Sequence, residues 1–323
     1  MAKTQFMWRM PAHPTEGSRR MLFIEQITET LEYIQGRFEG AFLDDHFLPW
    51  AAVDHPGGRD TLSNDVDTLE CWTAISYLAA AFPKLVFGAI VLCQSYRNPA
   101  LVAKMGATLQ LLSGGRFVMG LGTGWRDDEY AAYGYEFPKP VVRIDQLEET
   151  IHIIQKMWRE TPPVTFAGKY YQIQNAYCEP RPNPMPPLLI GGGGEKLMLR
   201  LIAKYADWWN YCDTVETYAH KLAVLRAHCE AIGRDHLEIV KTWDGLQITV
   251  AETEAEAKRI YEASAYKRRG RIVGTPPQVA ARLQAYVDLG VEIFFLRFDD
   301  FPSKTGIKLF TEKGVMPRFQ SNQ

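Results

Sequence analysis

Short apolar runs recur along this chain, separated by longer amphipathic stretches, and that alternation restricts the possible fold more than any single motif. The runs fall at residues 4–10, 40–43, 85–92, 117–121, 187–190, 208–211, 239–250 and 293–297. Strands alternating with helical stretches in this way argue for βα units around a parallel sheet. Eight such runs spread over 323 residues suit an α/β fold of one closed (β/α)8 TIM barrel with insertions. The helices between them show apolar faces at a 3.6-residue period. Leu22, Ile24, Ile27, Leu31 and Ile34 form one such face, and Ile144, Leu147, Ile151, Ile154 and Trp158 another. Gly114 and Gly115 end a helix that begins near Pro99, and Arg116, Phe117 and Val118 resume as strand, which completes one βαβ unit.

Two segments do not read as plain βα units. Residues 164–187 suggest a short hairpin followed by a proline-rich loop, and residues 262–274 a long charged loop before the last helix. No linker or repeat divides the chain, so a single barrel domain over 1–323 is expected. With 46% hydrophobic residues and a net charge of -2, the chain has material for a large core and no basic excess for a nucleic-acid partner. The five cysteines (Cys71, Cys93, Cys178, Cys212 and Cys229) are scattered and form no C-x-x-C pair, so reduced thiols are expected rather than disulfides or a zinc site. No signal-peptide pattern and no run of about 18 apolar residues is visible, so the expectation is a cytoplasmic protein with no membrane partner.

Barrels of this kind carry their chemistry at the carboxyl ends of the strands. After the second run come Asp44, Asp45, His46 and Phe47, with Trp50 beyond them. A histidine there suits proton exchange near neutral pH, although capping by the acids and simple packing of His46 fit the same residues. After the fourth run come Gly120, Leu121, Gly122, Thr123, Gly124 and Trp125, which allow close approach of backbone to a ring or anion but equally make a tight turn. After the fifth come Gly191, Gly192, Gly193, Gly194, Glu195 and Lys196 and then a helix, which together suggest a phosphate cradle. The glycine run lacks the Lys-Ser/Thr ending of a P-loop. His13 follows the first run and Arg297 ends the eighth; substrate contact and ion pairing both fit them. Lys267, Arg268 and Arg269 read as a solvated loop.

Taken together, these stretches resemble the luciferase-like flavin or deazaflavin oxidoreductases from Thr4 to about Phe298. The block from Tyr96-Arg97-Asn98-Pro99 through Gly120-Leu121-Gly122-Thr123-Gly124-Trp125 carries the resemblance most specifically. It implies coenzyme F420 as cofactor, with FMN as the alternative, and hydride transfer to or from a small organic substrate. With FMN the implied reaction is that of a monooxygenase fed by a separate reductase.

The resemblance also implies Asp45 as a cofactor contact, His46 as the proton-exchanging residue and Trp50 as an aromatic wall. A bulge, often with a non-proline cis peptide, would prop the ring system at Ala89 and Ile90. Thr123 and Gly124 would border the ring, and Gly191 to Gly194 would hold the phosphate. Trp125 and Arg297 join Trp50 as expected substrate contacts. Trp125 stands where the sugar-phosphate dehydrogenases of the family carry a glutamate, and their phosphate-gripping lysine is replaced near Val215, so a sugar phosphate is not implied. A homodimer follows by resemblance, with Trp72 and Tyr77 as candidate apolar contacts. Two other readings fit the residues less well: a cofactor-free binding barrel, and a metal-dependent hydrolytic or aldol barrel, for which the H-x-H spacing is missing.

Overall fold

Eight parallel strands close on themselves in the computed structural model, which describes residues 3–14, 20–48, 67–245, 247–264 and 271–320. The strands are β1 (Gln5–Arg9), β2 (Gly40–Leu43), β3 (Val86–Ala89) with its short continuation β4 (Leu92–Cys93), and β5 (Phe117–Gly122). Then follow the antiparallel hairpin β6 (Val164–Ala167) and β7 (Gln172–Ala176), β8 (Leu188–Gly191), β9 (Trp208–Tyr211) and β10 (Val240–Asp244). The paired β11 (Ile248–Val250) and β12 (Ile272–Gly274) precede β13 (Val291–Leu296). Strands β1, β2, β3, β5, β8, β9, β10 and β13 pair in that order, and β13 returns to β1. The flanking helices are α1 (Arg20–Ile34), α2 (Cys71–Ala81), α3 (Pro99–Leu112), α4 (Asp127–Ala132), α5 (Pro140–Arg159) and α6 (Met198–Tyr205). They continue with α7 (Val215–Ala231), α8 (Glu254–Ala263), α9 (Pro276–Asp288), α10 (Thr305–Glu312) and α11 (Met316–Gln320).

The eight-strand reading holds, with three corrections. The third run is broken after Ala89, and the cis peptide lies one residue beyond the expected place, between Ile90 and Val91. The seventh run is two strands: β10 belongs to the barrel, whereas β11 pairs with β12 outside it. A continuous apolar run does not reveal that its second half has changed sheet. That same pairing puts a strand at the end of the stretch read as loop. In α1, Leu22 and Ile24 face outward, and the buried stripe is Phe23, Ile27, Thr30, Leu31 and Ile34. The α5 stripe is as expected, with Leu147, Ile151, Ile154 and Trp158 buried.

Side chains alternate between the barrel interior and the helix layer, as pleating requires. Met7, Phe42, Val118, Leu189, Ile293 and Phe295 fill the interior, while neighbours such as Phe6, Trp8, Leu43, Phe117 and Phe294 pack under the helices. The glycines of β5 owe their place to the break after β3. A Cβ at Gly120 would overlap the Ala89 carbonyl, and one at Gly122 would come within 2.6 Å of the Val91 side chain. Gly120→Ala is therefore expected to lower stability by roughly 1–3 kcal/mol, the usual cost of overpacking, as a lower urea midpoint with unchanged slope. An unchanged midpoint would mean that β5 moves freely away from the break.

Candidate active site

Counting in twos along four neighbouring strands places one charge at each carboxyl end, facing the barrel mouth. The pattern is Met7 then Arg9 on β1, Phe42 then Asp44 beyond β2, Thr242 then Asp244 on β10, and Phe295 then Arg297 beyond β13. All four are buried. Arg9 donates from Nη1 to both Asp244 oxygens at 2.8 and 2.7 Å. From Nε and Nη2 it donates to Asp44 Oδ1 at 2.9 and 2.6 Å. Arg297 Nη2 donates to Asp44 Oδ2 at 3.0 Å and to the Met10 carbonyl at 2.9 Å. Burial opposes charge on Arg9, yet Asp244 and Asp44 overcome it and hold the guanidinium well above its ordinary value. Burial likewise opposes charge on Asp44, but Arg9, Arg297 and His46 keep its carboxyl well below the usual carboxylate range.

The opposite half of the mouth is lined by backbone and apolar groups: Ile90, Val91, Leu92 and Cys93, then Gly122, Thr123 and Gly124, then Gly191 and Gly192. Between the halves lies a cavity of about 340 Å³ to which Arg9, Asp45, His46, Tyr96, Trp125, Arg126, Cys212 and Asp244 also contribute. Gly124 has φ +71°, and a Cβ there would crowd the Tyr130 hydroxyl and come within 2.6 Å of the Cys93 sulfur. Glycine at this position serves packing as well as the wall.

Asp45 and His46 both reach this cavity from the loop after β2. Asp45 accepts from Arg97 Nη1 and Nη2 at 2.8 and 2.9 Å and from the Cys93 amide at 2.9 Å, which ties its loop to β4. His46 packs edge-on against Trp125 at 5.5 Å between ring centroids, and Trp125 keeps 42% of its surface exposed at the rim. The structure thus brings together Asp45, His46, Ile90, Thr123, Gly124, Trp125, Gly191 and Gly192. It does not bring all the expected residues there. Ala89 is buried in β3 behind the cavity wall, and Arg297 lies in the ion-pair layer rather than on the lining. Gly193 packs where a Cβ would overlap the Tyr211 ring, and Gly194 lies next to Met198, outside the lining. The helix after this run starts only at Met198, so a turn separates the glycines from α6. Trp50, Lys267, Arg268 and Arg269 lie outside the described residues.

Sequence reasoning missed Glu129. It sits in the first turn of α4, where the run Asp127, Asp128, Glu129 suits the helix dipole, and its side chain is fully buried. Its Oε2 lies 2.9 Å from His46 Nδ1 and accepts from the Tyr96 hydroxyl at 2.9 Å. Its Oε1 accepts from the Phe47 and Leu48 amides at 2.9 and 3.0 Å and lies 3.2 Å from Arg126 Nη1. Burial pushes this carboxyl upward, but the hydrogen bond and charge of His46, the Leu48 amide and Arg126 prevail and set it below its ordinary value. An acid in the third place of a helix offers no sequence signal of such a role. Arg9, Asp44 and Asp244 did leave one, since each continues the inward alternation of its strand.

A parallel barrel with a cavity at the carboxyl ends of its strands, ionisable on one side and largely apolar on the other, belongs to the α/β barrels that bind small molecules at that face. The sequence profile of the luciferase-like monooxygenase family matches residues 8–271, and the chain belongs to that family. It is 28% identical over 289 residues to an F420-dependent glucose-6-phosphate dehydrogenase of Kineococcus radiotolerans, covering 78% of this chain and 80% of that one. Among solved structures it resembles an F420-dependent secondary alcohol dehydrogenase in complex with an F420-acetone adduct. That match has a TM-score of 0.81 and 21% identity, and it covers 98% of this chain and 99% of the other. A long-chain alkane monooxygenase gives a TM-score of 0.80 at 19% identity, covering 100% and 92%. At these identities the two structures establish the shared barrel fold. None of the five cysteines is in a disulfide, and no helix among the described residues is long and apolar enough to cross a membrane.

Proposed function

We propose that this protein is an oxidoreductase that transfers hydride between coenzyme F420 and a small organic substrate. The observation that carries the reading is the two-sided cavity, a largely apolar, glycine-rich wall facing a histidine braced by a buried carboxylate. A flat ring system fits the side of the cavity formed by Ile90, Val91, Gly122, Gly124, Gly191 and Gly192, where the Val91 side chain packs in front of Gly122 and Gly191. Bound there, the coenzyme supplies the carbon that accepts or gives hydride; the protein's part is orientation, shielding and proton exchange. Asp45, held rigid by Arg97, contacts the coenzyme; His46 exchanges the proton; Trp125 covers the substrate. The described cations on the lining, Arg9 and Arg126, are already engaged with carboxylates, which favours a substrate without a phosphate group. The curated F420-dependent relative supports the choice of coenzyme.

The active form is proposed to be a cytoplasmic homodimer. Of the two expected contacts, Tyr77 on α2 is 70% exposed whereas Trp72 is buried against Phe117; α2 and α3 line one groove, with Leu112 77% exposed beside it, which suits a second subunit. Where the reaction runs as a reduction, a separate reductase supplies the reduced coenzyme.

The test is a titration of the purified protein with F420 and, separately, with FMN, followed by tryptophan fluorescence. Micromolar binding of F420 with at least about tenfold weaker binding of FMN is expected, a difference of about 1.4 kcal/mol. Tighter binding of reduced FMN would move the protein to the monooxygenases, and binding of neither would leave a cofactor-free barrel.

A further inference from the structure

We propose that Glu129 is a positioning residue that locks His46 in the tautomer with its proton on Nδ1. Nε2 is then the atom that takes the substrate's hydroxyl proton as hydride leaves the adjoining carbon. The inference rests on the hydride-transfer reading above and assigns the proton to one atom.

Four groups hydrogen-bond to this carboxylate, and Arg126 Nη1 lies 3.2 Å from Oε1. The Phe47 and Leu48 amides fix one oxygen, while the Tyr96 hydroxyl and His46 meet the other. A carboxylate so surrounded is ionised and accepts only, which leaves His46 Nδ1 as the donor in their 2.9 Å contact. In the neutral ring Nε2 then carries the lone pair. The same carboxylate sets the position of the ring as well as its tautomer, because it holds the two residues that follow His46. Arg126 Nη1 reinforces this by donating to the Leu48 carbonyl at 2.8 Å, and Trp125 packs against the ring. The two partners stand 83 residues apart, on the loop after β2 and on α4 after β5, so their contact exists only once the barrel has closed.

In the oxidative direction the alcohol C–H bond breaks, its electron pair leaves with hydride to the coenzyme, the O–H bond breaks, and its proton forms the new N–H bond at Nε2. The products are a carbonyl compound, reduced coenzyme and imidazolium. The reverse reaction returns the same proton to the carbonyl oxygen. Glu129, itself never bonded to substrate, lowers the cost of the imidazolium by presenting a fixed negative charge.

Glu129→Gln tests the assignment without changing the size of the group. The Phe47 and Leu48 amides both require an acceptor, so the amide oxygen takes the Oε1 position and the NH2 takes that of Oε2. The NH2 then donates to His46 Nδ1, and the neutral ring must carry its proton on Nε2. With ¹⁵N-histidine labelling at a pH where the ring is neutral, wild-type protein is expected to show a protonated Nδ1 and an unprotonated Nε2. His46→Asn identifies the signals by their loss. Glu129→Gln is expected to exchange the two nitrogen signatures and to slow turnover by about 10²- to 10⁴-fold, with KM and coenzyme affinity within about threefold. A wild-type ring protonated at Nε2, or a Gln variant with turnover within about threefold of wild type, overturns the proposal. Should the variant not fold, the wild-type spectrum decides alone. It is read without coenzyme, so failure of the lock and failure of the F420 reading are seen in different experiments.

Discussion

A His46→Asn variant is expected to turn over about 10²- to 10⁴-fold more slowly than wild type while binding F420 with little change, the range over which general acid-base groups contribute. Asparagine is suited to the comparison because its amide NH2 falls near the position of Nδ1. It can still donate to Glu129, which otherwise would be left as a buried carboxylate short of a partner. The loop carrying Phe47 and Leu48 therefore keeps its anchor, and the group removed is the ring's second nitrogen. Equal losses in kcat and kcat/KM would locate the effect in the transition state, whereas a rise in KM alone would make His46 a binding residue. Retention of turnover within about threefold would remove His46 from the chemistry.

Arg9→Met should cost about 3–5 kcal/mol of stability in urea unfolding, the effect of breaking a buried ion pair by deleting one partner. Arg9 makes four hydrogen bonds to two buried carboxylates, and the methionine that replaces it makes none. Both carboxylates lose charge-assisted hydrogen bonds, and Asp44 keeps its ion pair with Arg297. The deficit should depend on pH in one direction. The Asp44 carboxyl is held below its ordinary value, so its contribution is complete above the unfolded-state value of about 3.9 and fades as the pH falls below it. The gap between wild type and variant is therefore expected to narrow in acid. A second variant, Arg9→Met with Asp244→Asn, should recover part of the loss by removing one of the two buried negative charges that Arg9 balanced. A deficit under about 1 kcal/mol at neutral pH would show that water enters the layer and solvates it, leaving it to behave as a surface pair.

The residues that were legible and those that were not divide along a physical line. The α5 stripe was readable because a helix that covers a barrel repeats its contacts every turn. The outward Leu22 and Ile24 of α1 were not, because apolar residues flank the buried stripe on both sides and only packing selects among them. Gly120 and Gly122 fitted a tight turn as well as a ligand loop, and only the structure shows that the Ala89 carbonyl and the Val91 side chain occupy the space in front of them. Asp45 and His46 were found by their place after a strand, and both do line the cavity.

By itself the sequence determined the barrel, the end of it that holds the cavity and most of the residue types around that cavity. These follow from local periodicity and from the rule that strands of a parallel barrel all point the same way. Only the tertiary structure decided which acid braces His46, that Arg9 bridges carboxylates on β10 and beyond β2, and that β11 leaves the barrel to pair with β12. Those are contacts between segments far apart in the chain, 235 residues in the case of Arg9 and Asp244. No local pattern encodes them, because the energy that selects each partner arises only when closure removes both from water.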